Sequence, residues 1–155
     1  MPELHPGDAA PSFDLATDAG GRATLSGLTG KTVVLYFYPK DDTSGCTTEA
    51  QQFTERADEF ARAGAVVIGV SRDTLHSHAK FRTKYGLKVL LGSDEDGTVT
   101  EAYGVWVEKS MYGRQYMGIE RATFLIGPEG KLRTVWRKVK TAGHAAEVLA
   151  AVQAS

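Results

Sequence analysis

Two continuous apolar runs, Val33 to Tyr38 and Ala65 to Val70, constrain the fold of this chain more than any other feature of its sequence. A strand that is apolar on both faces has to be covered on both faces, which is the situation of a parallel strand in an α/β sheet. Between the runs, Ala50, Phe53, Ala57, Phe60 and Ala61 recur at helical spacing from a start near Cys46. The spacing predicts one helix with these residues as its buried stripe and Glu49, Glu55, Arg56, Glu59 and Arg62 on its exposed face. Strand, helix and strand then make a right-handed βαβ unit with its two strands parallel.

The flanking segments extend the alternation. Phe13 to Ala16 and Arg22 to Leu25 surround Asp18-Ala19-Gly20-Gly21, which predicts a small N-terminal hairpin covering an end of the sheet. A helix follows from Thr74, its cap, to about Tyr85, then a short strand near Val89 to Leu91 and a small helix from Gly97 to Tyr103. Gly104 to Gly118 has no clear period; with Trp106, Tyr112 and Tyr116 it reads either as a loop over a pocket or as an ordinary packed loop. Glu120 to Ile126 and Lys131 to Trp136 flank Gly127-Pro128-Glu129-Gly130 and predict an antiparallel hairpin. Thr141 is expected to cap a last helix that packs Ala145, Val148, Leu149 and Val152 on the sheet. Hairpin, βαβ unit, helix, two antiparallel strands and helix is the thioredoxin-like α/β order, here with an N-terminal β-hairpin extension. A chain of 155 residues is expected to hold it as one domain, residues 1–155.

The 18 basic residues stand against 19 acidic ones and are dispersed along the chain, leaving no net field to draw in nucleic acid or an anionic membrane surface. Small-molecule chemistry is the expectation that remains. No apolar stretch approaches the roughly 20 residues of a membrane span. The start Met1-Pro2-Glu3-Leu4-His5-Pro6 lacks the basic and apolar regions of a signal peptide. A cytoplasmic protein is expected, as a monomer or weak homodimer. One cysteine cannot form an internal disulfide, and the four histidines cluster only as His76 and His78, a spacing not typical of a metal site. Neither a metal nor another cofactor is indicated.

The lone cysteine, Cys46, follows the strand ending at Tyr38 and the polar turn Pro39-Lys40-Asp41-Asp42-Thr43-Ser44-Gly45. That places the sulfur in the first turn of a helix, where unpaired N–H groups and the helix dipole favour an anion and lower a thiol pKa from its free value of about 8.5. The other reading is a buried structural cysteine. Thr43 can bring its hydroxyl near the sulfur, donating to a thiolate, or can act as a helix cap. Pro39 removes an N–H at the mouth of the turn and can shield the sulfur from water. Arg121 precedes core-like residues, Ala122 to Ile126, so its always-charged, multiply donating guanidinium is aimed either at a site or at an ion pair with Glu120 or Glu49.

The signature Pro39-x-x-x-Thr43-x-x-Cys46 resembles that of the peroxiredoxins, and Tyr36 to Ala50 is similar to their bacterioferritin comigratory protein branch, also called peroxiredoxin Q. Val70 to Asp73, Tyr103 to Trp106 and Tyr116 to Ile126 resemble the same branch, so the similarity spans nearly the whole chain. The resemblance implies a thiol peroxidase of thioredoxin-like fold with Cys46 as peroxidatic cysteine and Thr43, Arg121 and Pro39 completing the site. Ser44 stands where the branch often has proline and leaves the signature intact.

A second departure bears on mechanism. Many members of the branch carry a further cysteine five residues after the first, and here that position is Gln51. Five residues span roughly 7.5 Å along a helix axis, so even such a pair needs local unwinding to bond. This chain lacks the step. A sulfenic acid formed on Cys46 by hydrogen peroxide or an organic hydroperoxide would have to be returned by an external thiol: glutathione with glutaredoxin, thioredoxin, or a second copy of Cys46. A thiol-disulfide oxidoreductase of the same fold needs a Cys-x-x-Cys pair, which Thr43 precludes. A redox sensor that changes partners on Cys46 oxidation is the reading from a different class.

Overall fold

A computed structural model of the chain describes residues 3–155; Met1 and Pro2 of the leading segment lie outside the described residues. In chain order the strands are β1 (Asp14–Thr17), β2 (Arg22–Thr24) and β3 (Thr32–Phe37). Helices α1 (Ser44–Glu55) and α2 (Ala57–Arg62) follow, then β4 (Ala65–Ser71), α3 (Leu75–Tyr85), β5 (Leu90–Ser93) and α4 (Thr98–Ala102). The chain closes with β6 (Trp106–Met111), β7 (Arg114–Ile119), β8 (Ala122–Ile126), β9 (Leu132–Trp136) and α5 (His144–Ala154). A seven-stranded sheet has the order β2-β1-β5-β4-β3-β8-β9, and β6 and β7 form a separate pair. The α/β thioredoxin-like architecture expected from the sequence is the one observed.

The two apolar runs are the middle of the sheet. β3 and β4 pair in parallel from Thr32↔Ala65 to Phe37↔Val70, and β8 runs antiparallel to β3 on its other side. Every residue of β3 is buried because its two faces enter different cores. Val34, Tyr36 and Tyr38 meet Phe53, Phe60, Phe81, Val148 and Val152 from the helices. Val33, Leu35 and Phe37 meet Phe13, Leu15, Val99, Tyr103 and Phe124 on the opposite face. Gly69 lies opposite Tyr36 in the register, and a Cβ there would come within 2.6 Å of the tyrosine ring, so glycine in mid-strand makes room for a large neighbour.

Several local expectations are corrected. The N-terminal hairpin does not cover an end of the sheet: β1 pairs antiparallel with β5 and lengthens it sideways. The helix expected as one unit from Cys46 starts at Ser44 and breaks at Arg56, whose φ of −106° lies outside the helical range; in α2 only Phe60 is buried and Ala61 is exposed. Thr141 is not the cap of α5. Gly143 takes that place in the left-handed region (φ 72°), and the Thr141 carbonyl accepts from His144 N–H at 3.2 Å. Thr74 does cap α3, accepting from Ser77 N–H at 3.1 Å.

The segment 104–118 is a β-hairpin rather than a loop. It stands off the main sheet with most of its residues exposed on both faces, so the alternation that marks a half-buried strand never develops. Tyr112 (φ 52°) and Gly113 (φ 76°) make its two-residue turn, the left-handed pair that matches strand twist. Its base is held by Arg72, whose guanidinium lies 3.4 Å over the Trp106 ring. Trp106 and Met117 line a cavity of about 690 Å³ together with Tyr103 and Arg137. No helix among the described residues is long and apolar enough to cross a membrane.

Phe53 carries much of the helix-to-sheet contact: it is fully buried, stacks on Tyr36 at 4.7 Å between ring centroids and also meets Phe60. Phe53→Ala is expected to lower unfolding free energy by about 3–5 kcal/mol, measured by urea denaturation. A loss below about 1 kcal/mol would mean that α1 is held to the sheet by other contacts.

Candidate active site

The chain leaves β3 after Phe37 at the same end of the sheet where it enters β8, because the antiparallel register sets Phe37 opposite Ala122. Arg121, the residue before Ala122, is thereby delivered beside the turn that leads into α1. Its backbone is fixed there by Val139 N–H, which donates to the Arg121 carbonyl at 2.9 Å. From the other side, Thr43 occupies the N-cap position of α1 with extended backbone, and its carbonyl accepts the first helical bond from Thr47 N–H at 2.8 Å. Cys46 is therefore in the first turn, where Ser44, Gly45 and Cys46 N–H have no partner one turn back. The Thr43 side chain does not cap them. Its hydroxyl donates to Lys40 O at 2.8 Å.

Three side chains converge. Arg121 donates from Nη2 to Cys46 Sγ at 3.3 Å and from Nη1 to Glu49 Oε1 at 2.6 Å. Cys46 is 2% exposed and Glu49 1%. Gly45 makes the approach feasible, since a Cβ at that position would sit 3.2 Å from Arg121 Nη2. Pro39 and Thr43 lie at the surface of the turn.

The electrostatics follow from burial. Burial pushes the Glu49 carboxyl up to about 7 against the pull of Arg121. Burial opposes the Arg121 charge, but Glu49 and Cys46 outweigh it and hold the guanidinium above its usual range. The arginine is a permanent cation facing a carboxyl that titrates near neutrality and a sulfur. When Glu49 is protonated, the guanidinium is no longer neutralised by the carboxyl beside it.

A family model described as the AhpC/TSA family matches residues 6–135. The chain belongs to that family. It is a peroxiredoxin, a thiol peroxidase enzyme. A putative peroxiredoxin bcp of Coxiella burnetii is 52% identical over 94% of this chain and 97% of its own length. Peroxiredoxin Bcp of Bacillus subtilis is 50% identical over 92% and 91%. Among solved structures, the bacterioferritin comigratory protein of Xanthomonas campestris, described for its alkyl peroxide reduction activity, superposes with a TM-score of 0.88 at 46% identity over 95% of this chain and 98% of that one. A cysteine-to-serine mutant of PrxQ from Xylella fastidiosa superposes at 0.93 with 40% identity over 99% and 98%.

The structure of this peroxiredoxin thus brings Cys46 and Arg121 into contact and places Pro39 and Thr43 on the turn beside them. Of the two targets weighed for Arg121, the ion pair with Glu49 is made, and the same guanidinium also contacts the Cys46 sulfur. The expectation that Glu49 is exposed is corrected. Helical spacing put it beside the buried stripe, and the guanidinium arriving from β8 draws it inward. The available signal was its place one turn after Cys46, where a carboxylate can share a cation with the sulfur. Lys109 on β6 feels the charges of the site: burial, then the Arg121 charge, lower its pKa, while Cys46 and Glu120 oppose the shift.

Glu49 leaves a pH signature on stability. Its folded pKa of about 7 lies above the ordinary 4.5, so folding retains a proton that the unfolded chain has released. The associated stability is complete below pH 4.5 and is lost as pH rises to about 7, a change of roughly 3 kcal/mol. Urea denaturation of wild type and Glu49→Gln between pH 4.5 and 8 is expected to show wild type losing ground to the variant over that window. Parallel curves would show that Glu49 ionises without cost in the fold.

Proposed function

We propose that this peroxiredoxin reduces hydrogen peroxide and organic hydroperoxides through Cys46 and is recycled by a thiol from another molecule. The observation that carries this reading is the Arg121 bond to Cys46 Sγ at 3.3 Å, made at the first turn of α1. A thiolate there faces a fixed cation and uncapped N–H groups, all aimed where charge moves during displacement. The sulfur attacks one peroxide oxygen, the O–O bond breaks, and the departing oxygen takes up a proton to leave as water or an alcohol. Cys46 is left as a sulfenic acid. Arg121 holds the peroxide and stabilises the developing charge on the leaving oxygen. Thr43, one turn upstream, exchanges its bond to Lys40 O for one to the peroxide, and Pro39 shields the sulfur without adding a competing N–H. The alkyl peroxide activity of the Xanthomonas relative supports the organic substrates.

Recycling follows from the cysteine count. The Xanthomonas peroxiredoxin Q has been solved as two mutants that each replace a different cysteine by serine, so that protein has at least two cysteines, whereas this chain has only Cys46. A second thiol must come from outside, with glutathione and glutaredoxin, thioredoxin or a second copy of the chain as donors. Water cannot serve, since returning a sulfenic acid to a thiol takes two electrons.

Cys46→Ser is expected to abolish peroxide consumption in the presence of thiol, and Arg121→Met to slow it by about 10²–10³-fold with the fold intact. Full activity in Cys46→Ser would refute the assignment. Mass spectrometry after one equivalent of peroxide and candidate thiols is expected to find a mixed disulfide on Cys46. Recovery of sulfinic acid alone with every thiol offered would remove the recycling scheme.

A further inference from the structure

Behind the active-site turn lies a buried polar cluster that the peroxidase chemistry does not use. Asp41, within the turn, is buried and fully engaged: its N–H donates to Asp73 Oδ2 at 2.8 Å, Oδ1 accepts from Tyr38 hydroxyl at 2.6 Å, and Oδ2 accepts from Ser77 hydroxyl at 2.8 Å. The same Oδ2 lies 2.7 Å from His78 Nδ1, and His78 Nε2 lies 3.0 Å from the Gly92 carbonyl. The His78 ring, on α3, is wholly inaccessible to solvent.

Both ring nitrogens of His78 therefore face acceptors. A neutral imidazole carries one N–H, so it would set lone pairs against either the carboxylate or the carbonyl; the doubly protonated ring satisfies both. We infer that His78 is a positioning residue of this enzyme: as a buried imidazolium it anchors Asp41, and through Asp41 it fixes the turn Pro39 to Thr43 that sets the first turn of the Cys46 helix. The inference rests on the reading of Cys46 as the reacting sulfur. A second, surface contact acts in the same direction. Asp42, with φ at 60°, accepts from Lys84 Nζ at 2.8 Å and from Tyr85 hydroxyl at 2.6 Å, so α3 holds the turn by two successive aspartates.

The charged groups facing His78 are Asp41 from the turn and Asp73 from the segment after β4, with uncharged Tyr38 just past β3 and Ser77 from its own helix. Burial works against the charge on the ring, but the Asp41 bond and field, the Gly92 carbonyl and Asp73 outweigh it and raise the pKa above 6.5. The stabilisation is then complete below pH 6.5 and is lost as pH rises through the higher folded value. The turn is held below that folded value and loosens above it. His144 shows that burial alone does not charge a histidine in this fold. Its Nε2 meets the Thr123 hydroxyl at 2.8 Å, a group able to donate or accept, and burial drives its pKa down.

Two measurements on the full-length reduced enzyme test the inference. In long-range proton–nitrogen spectra of histidine-labelled wild type at pH 7.5, both His78 ring nitrogens are expected to carry protons; an unprotonated nitrogen at that pH overturns the proposal, and this readout needs no variant. In stopped-flow, His78→Gln, whose single amide nitrogen cannot donate in two opposed directions, is expected to slow the first turnover with hydrogen peroxide by about 10–100-fold and to remove the alkaline decline of the wild-type rate. An unchanged rate and pH profile in a folded His78→Gln, with Cys46→Ser inactive, overturns this inference alone. An active Cys46→Ser overturns the reading beneath it.

Discussion

Arg121 is the interaction on which the rest of the site depends, because one guanidinium serves two buried groups at once, a carboxyl and a sulfur. Its Nη1 and Nη2 reach Glu49 and Cys46 in parallel, and arginine can do this where lysine could not, since its donors are held in a rigid fork and its charge survives burial. Glu49 is so poorly solvated that its proton is bound until about pH 7. The pair is thus poised: the carboxyl orients the arginine at every pH, while the share of positive charge left for the sulfur depends on whether Glu49 has ionised.

This arrangement needs three separate pieces of chain to arrive at one end of the sheet. β3 supplies the turn, α1 supplies Cys46 and Glu49 one turn apart, and β8 supplies Arg121 through its antiparallel register with β3. The parallel β3–β4 pair and the two cores on either side of it make that end rigid. The turn itself, with exposed Pro39, Lys40 and Thr43, would be the weak link. It is tied to α3 through Asp41 and Asp42, and to the segment after β4 through Asp73, so the helix that follows is set by contacts on more than one side.

Much of this was legible in the order of residues. Fully apolar β3 and β4, the helical period between them, and Thr74 as a cap follow from side-chain chemistry and local geometry, and both the thioredoxin-like order and the lone sulfur at a helix start could be read directly. The β6–β7 hairpin could not, because its residues are mostly exposed on both faces and carry no alternation; it is held by its own ladder and by Arg72 on Trp106. Gly143 displaced Thr141 as the start of α5 because a left-handed turn there is available only to the backbone, not to any pattern of hydrophobicity.

The sequence by itself determined the α/β class, the position of Cys46 at the junction of strand and helix, and the lack of a second thiol, since each depends on residues adjacent in the chain. Only the tertiary structure decided the surroundings of that sulfur. Glu49 looked like a surface residue until Arg121 was seen to approach from 72 positions away, and His78 was one of a nearby pair with His76 until it was found between Asp41 and the Gly92 carbonyl. The charge state of a buried side chain depends on the donors and acceptors brought to it from distant strands and helices, and those neighbours are settled by packing.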